Sequence, residues 1–169
     1  MISKAVMEAL MDIVPKENIH QEEPLAKHTT FRVGGPADCL VEIESTEQLK
    51  KIQKYLSLIE MPYMILGNGS NLLIGDGGYR GMALQIGDKM ADIRVEGTTI
   101  TAQAGALLSK TAKVALEHGL TGLEFASGIP GSIGGAVVMN AGAYGGEMKQ
   151  VVTSVTVLDQ EGEELVLDN

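Results

Sequence analysis

Basic residues are scarce in this chain: 13 Lys and Arg stand against 22 Asp and Glu, a formal charge of −9 over 169 residues. Binding a nucleic acid or an anionic membrane needs concentrated Lys and Arg, so the balance argues against both. It does not exclude a phosphate ligand, because backbone N–H groups hold phosphate without basic side chains. Cysteine is nearly absent too. Cys39 is alone, so no intrachain disulfide can form, and its alternating apolar setting, "ADCLVEI", suits a small buried thiol. No run approaches the length that spans a bilayer. The N-terminal "MISKAVMEALMDIV" carries Glu8 and Asp12 inside its apolar pattern, unlike a signal peptide. These lacks predict a cytoplasmic protein without membrane insertion. His20, His28 and His118 have neither metal-ligand nor catalytic-triad spacing, so no metal site is expected. Gly-Lys-Ser/Thr occurs nowhere, which removes a Walker loop.

What is present is patterned. Ile2, Val6, Ala9, Leu10 and Ile13 recur at helical spacing before Pro15. Residues 15–30 read as irregular. Residues 37–43 alternate as a strand, Ser45 and Gln48 fit a capping box, and Leu49, Ile52, Leu56 and Ile59 supply one helical face. Residues 63–66 are short and apolar enough for a buried strand, so strand, helix and strand make a βαβ unit with parallel strands. Further on, residues 82–86, 93–96 and 99–104 read as strands, and 107–118 as a helix with Gly119 beyond its end. Residues 151–158 and 163–167 form a hairpin around 159–162. The expectation is an α+β fold: a small α/β lobe over 1–78, then a larger antiparallel lobe with helices over 79–169.

Glycine is concentrated. Of 21 glycines, seven lie between Gly67 and Gly87 and nine between Gly119 and Gly146. Each glycine costs conformational entropy on folding, so clusters imply positive φ or close approach to backbone. An ordinary turn is the bland account of either cluster alone. Against it, the first follows a parallel strand, where α/β sheets leave ligand crevices. A Rossmann fingerprint fails, because Leu72 stands where Gly or Ala is needed and no helix follows. Yet the N–H groups of Asn68 to Leu72, with the Ser70 hydroxyl and the Asn68 and Asn71 amides, can encircle a diphosphate. Hydrogen bonds to charged groups contribute about 1.5–3 kcal/mol each, enough to hold a dinucleotide without Lys.

Together, "HTTFRVGGPAD" (28–38), "LGNGSNLL" (66–73) and "GLEFASGIPGSIGGAVVMNAGAYGGE" (122–147) closely resemble the UDP-N-acetylenolpyruvoylglucosamine reductase family, also called UDP-N-acetylmuramate dehydrogenases. The match runs through essentially the whole chain, in order. The resemblance implies a bilobed FAD-binding domain of the vanillyl-alcohol-oxidase type with noncovalent FAD. Gly67, Asn68, Gly69, Ser70, Asn71 and Leu72 would form the diphosphate loop. Ser127, Gly128, Ile129, Pro130, Gly131 and Ser132, with the Gly134, Gly135, Ala141 and Gly142 backbone, would hold the rest of the cofactor. It also implies NADPH as co-substrate and a UDP-sugar as substrate, in peptidoglycan precursor synthesis.

The family's catalytic parts, an Arg in Tyr-Arg-x-Ser, a proton-donating Ser and an assisting Glu, would all fall after Asn169, with a substrate-binding domain. No catalytic residue is therefore expected here, and these residues alone are expected to be inactive. Tyr79-Arg80 continues as Gly81-Met82 and reads as a surface pair rather than that motif. Arg32 is the one basic residue near the expected ligand walls, with cofactor contact and acid pairing both open. The alternative from another class is a standalone flavin- or nucleotide-binding module without redox catalysis.

Overall fold

The computed structural model describes residues 2–169. Helix α1 (Lys4–Met11) starts at Ser3, whose hydroxyl accepts the Val6 N–H at 3.3 Å, and it buries Val6 and Leu10. Strand β1 (Ile19–Gln21) follows, within the stretch expected to be irregular. Three residues are too few to show alternation, but they pair antiparallel with β2 (Ala37–Ile43). Helix α2 (Thr46–Leu58) is capped by Ser45, which accepts the Gln48 N–H at 3.2 Å. The Gln48 side chain reaches back to the Glu44 N–H at 2.9 Å, one residue earlier than a standard capping box.

Strand β3 (Tyr63–Leu66) runs parallel to β2, as the βαβ pattern requires, but the two are not neighbours. Strand β4 (Tyr79–Ile86) lies between them, parallel to both, in the order β1-β2-β4-β3. The sequence reading put residues 82–86 in the second lobe. They lie inside the four-stranded sheet with β2 and β3 instead, because their apolar residues are buried on both faces. Met82, Leu84 and Ile86 join Cys39, Val41 and Ile43 beneath α1 and α2, where Leu10, Ile52 and Leu56 complete the main core. Ala83 and Leu40 face the other way, into a smaller cluster with Leu25 and Leu66.

Parallel neighbours need a crossover, usually a helix. Between β3 and β4 residues 67–78 make that crossover without one. Leu72 and Ile74 seal the smaller cluster. Alongside them run residues 28–36, joined by the Thr30 N–H to the Gly69 carbonyl at 3.1 Å and the Gly35 N–H to the Gly75 carbonyl at 3.0 Å.

The rest of the chain is antiparallel where it is sheet, but as three separate two-stranded ladders rather than one large sheet. They are β5 (Ile93–Glu96) with β6 (Thr99–Ala102), β7 (Gly142–Ala143) with β8 (Gly146–Glu147), and β9 (Ser154–Leu158) with β10 (Glu164–Asp168). Helix α3 (Leu108–Glu117) ends at His118, with Gly119 at φ +66° beyond it. Helix α4 (Ile133–Met139) packs with α3 and Phe125 in a second core of Leu108, Ala112, Ala126, Ala136 and Met148. The tip of the last hairpin returns to α2, where the Gln53 amide donates to the Asp159 carbonyl at 2.6 Å and Lys50 meets Glu164 at 2.9 Å. Among the described residues, no helix is long and apolar enough to cross a membrane.

Candidate functional site

Strands β3 and β4 point the same way, so the loops that follow them leave the sheet at one edge. There the two glycine-rich stretches come together. A Cβ built on Gly67 would lie 2.7 Å from the Ser132 hydroxyl, and one on Gly131 would lie 3.1 Å from the Ser70 hydroxyl. The second wall is held by backbone: Leu108 N–H to Gly131, Ile133 N–H to Ala106 and Gly134 N–H to Ala104, at 2.9, 2.8 and 2.8 Å. Between the walls lies a cleft of about 360 Å³, lined by Gly67, Asn68, Gly87, Asp88, Lys110 and Ser132 among others.

Backbone donors remain available on the first wall. None of the N–H groups of Asn68, Gly69, Ser70 and Asn71 donates to a backbone carbonyl among the described residues. Asn68 and Asn71 are exposed, Ser70 is half-buried, and Leu72 turns inward to the core. Gly69, at φ +62°, is buried, and a Cβ on it would meet the His28 carbonyl oxygen at 1.9 Å. Its glycine is required by residues 28–30 rather than by open space kept for a ligand.

The second wall is mixed. Ser132 is 4% exposed and precedes α4, yet its hydroxyl caps no N–H of that helix. Gly128 and Pro130 are exposed, and a Cβ on Gly128 would meet nothing. The Ser127 hydroxyl donates to the Glu124 carbonyl at 2.9 Å, within its own turn. Ile129 packs in the second core, and Gly135 is exposed on α4. Other positions answer to packing. A Cβ on Gly134 would meet the Ala104 methyl at 2.9 Å, one on Gly142 would meet the Gly146 carbonyl at 2.7 Å, and the Ala141 N–H is held by Ala136. The helix-start donors Ile133 and Gly134 are thus spent on protein carbonyls.

Sequence reading missed Gln85, Gly87, Asp88, Asp92, Gly105, Leu107 and Lys110, all of which line the cleft. The available signal was the crevice rule at parallel strand ends, which applies to β4 as it does to β3. Lys110 gives the cleft a cation that the backbone argument had not required.

The outlying candidates have simple placements. Arg32 is exposed at φ +54°, outside the cleft lining. Arg80 pairs with Asp38 at 2.9 Å and donates to the Pro36 carbonyl at 2.6 Å, a surface tie. Cys39 is fully buried, and burial, then the neighbouring Asp38 charge, pushes its thiol up to about 11.

Comparison with known proteins agrees with this geometry. The family described as "FAD binding domain" matches residues 37–168, and the chain belongs to it. It is 51% identical over 160 residues to the UDP-N-acetylenolpyruvoylglucosamine reductase of Clostridioides difficile (strain 630), covering 95% of this chain and 53% of that relative. The chain therefore spans about half the length of the curated relatives it matches. It superimposes on the crystal structure of UDP-N-acetylenolpyruvylglucosamine reductase from Thermus caldophilus with a TM-score of 0.72 at 37% identity, covering 86% of this chain and 51% of that one. At 15% identity, p-cresol methylhydroxylase gives a TM-score of 0.72 over 98% of this chain and 36% of its own. That likeness shows the fold alone, the vanillyl-alcohol-oxidase type expected from sequence.

Proposed function

We propose that the chain is the FAD-binding portion of a reductase that uses NADPH to convert UDP-N-acetylglucosamine enolpyruvate to UDP-N-acetylmuramate in peptidoglycan precursor synthesis. The carrying observation is the unengaged N–H row of Asn68–Asn71, facing a second glycine-rich wall in a chain half identical to such reductases. Two lobes meet at the cleft: the first begins the chain and recovers β4 after the break at residue 78, and the second follows it.

The residues fit FAD. The Asn68–Asn71 amides, the Ser70 hydroxyl and the uncapped Ser132 hydroxyl suit the diphosphate. Lys110 adds a positive charge, while Asp88 and Asp92 repel phosphate and accept from hydroxyls, so their end suits a sugar. Gly128, with nothing near its Cβ position, and the exposed Gly135 suit close approach of the remaining cofactor. Gly67, Leu72, Ser127, Ile129, Pro130, Gly131, Gly134, Ala141 and Gly142 shape the walls through backbone. Bound FAD would supply hydride transfer, and the chain's residues orient it and neutralise its charge. The UDP-sugar would be met through a further domain, in the cytoplasm.

Tyr-Arg-x-Ser occurs nowhere in these 169 residues, so on their own they bind FAD without turning over the UDP-sugar. Purified protein mixed with FAD should retain a yellow chromophore through gel filtration, and mass spectrometry of released cofactor should give FAD rather than FMN. Failure to bind FAD would overturn the site. Substrate-dependent NADPH oxidation by these residues would overturn the inactivity.

A further inference from the structure

Gly69 is gripped from both sides by the segment beside it. The His28 carbonyl oxygen occupies the space a Cβ on Gly69 would need, and the Thr30 N–H takes the Gly69 carbonyl at 3.1 Å. Its two peptide planes are thereby turned by residues 28–30, and with them the N–H groups of Gly69 and Ser70. Downstream the segment is closed by its own turn: Thr29, 6% exposed, donates its hydroxyl to the Val33 carbonyl at 3.3 Å. Upstream, one side-chain contact fixes it. His28 Nε2 lies 3.0 Å from Glu23 Oε1, with both side chains more than four-fifths buried. Glu23 is itself fixed to β2, since its carbonyl accepts the Ala37 N–H at 2.9 Å.

We propose that Glu23 is a positioning residue for the diphosphate loop. It holds the His28 ring, residues 28–30 hold Gly69 through the Thr30 N–H, and Gly69 aims its own N–H and that of Ser70 at a nucleoside diphosphate. The inference rests on the FAD reading above. The carboxylate also meets Lys27 at 3.2 Å. Partial burial pushes the Glu23 carboxyl up, but its hydrogen bonds to His28 and Lys27 outweigh this and leave it below its usual value. An ionised acceptor binds more tightly than a neutral one, which strengthens the Glu23–His28 contact. Groups that orient a ligand-binding group indirectly commonly change affinity by tenfold or more when removed, as the hydrogen-bond partners of metal ligands do.

The test compares wild type, Glu23→Ala, Glu23→Gln and His28→Phe by FAD titration and by amide hydrogen exchange. Glu23→Ala and His28→Phe should weaken FAD binding by about tenfold. Their exchange should speed up at Thr30, whose N–H is bonded to Gly69, and, with FAD present, at residues 68–71, with β2 and β4 unchanged. Glu23→Gln keeps an acceptor for the imidazole N–H and should recover most of the affinity. His28→Phe preserves ring volume, so it reports even where Glu23→Ala folds poorly. Wild-type affinity in either folded variant overturns the proposal, and so does exchange that rises uniformly through the sheet. A wild type that does not bind FAD overturns the underlying site instead.

Discussion

Gly67 and Ser132 touch across the cleft: a methyl added to Gly67 would sit 2.7 Å from the Ser132 hydroxyl and 3.9 Å from its Cβ. The obstacle is one oxygen atom. Gly67→Ala should therefore cost about 1–2 kcal/mol in wild type. In a Ser132→Ala background the same change should be neutral, or stabilising by up to about 1 kcal/mol through the unfolded state. Urea unfolding of the four proteins gives the coupling. Additive effects would mean that the walls do not meet.

Gly128→Ala separates ligand space from protein space. A Cβ there meets no protein atom, and the backbone is outside the left-handed region, so stability should hold or rise slightly. FAD affinity should fall at least severalfold if the cofactor passes this surface. Unchanged affinity in a titration would move the cofactor away from residues 127–132. Gly69→Val is a poor probe of the same question, since it would collide with His28 and unfold the loop.

Burial keeps Cys39 protonated, with its pKa raised from 9.0 to about 11. The unfolded thiol releases its proton near pH 9 while the native one holds it, so stability is lost as pH rises from about 9 to 11. The loss should be of order 2 kcal/mol at its limit. Melting of wild type and Cys39→Ala between pH 8 and 10.5 should show a steeper decline for wild type. Parallel declines would reject the buried thiol as the cause. Alkylation at pH 8 should require denaturant.

Gln53 is 7% exposed and spans from α2 to the last hairpin. Gln53→Ala removes one of two donors to the Asp159 carbonyl, which keeps the Gly162 N–H at 3.2 Å, and should cost about 1 kcal/mol. Lys54→Ala removes only an exposed pair with Glu163 at 3.5 Å and should stay within about 0.5 kcal/mol. Equal losses in urea titrations would contradict this ranking.

What could be read from sequence followed local physics. Strands β2 and β3, helix α2 with Ser45, and Gly119 after α3 announce themselves through period, capping chemistry and positive φ. The insertion of β4 between β2 and β3 does not, because an apolar strand carries no label for its neighbours. The same limit governs the glycines. Gly69 and Gly134 look like ligand space in a one-dimensional pattern, yet the His28 carbonyl and the Ala104 methyl, distant in sequence, demand them. Asp88 and Lys110 were invisible as a pair, since only the fold brings the end of β4 beside the first turn of α3.

The hairpin tip on α2 also has a consequence in time. Gln53 and Asp159 are separated by 106 positions. A ribosome adding about 5–20 residues per second needs on the order of ten seconds to make the second after the first. Throughout that interval the newborn helix carries an amide without its partner, and the clasp can close only once every residue between the two has been made.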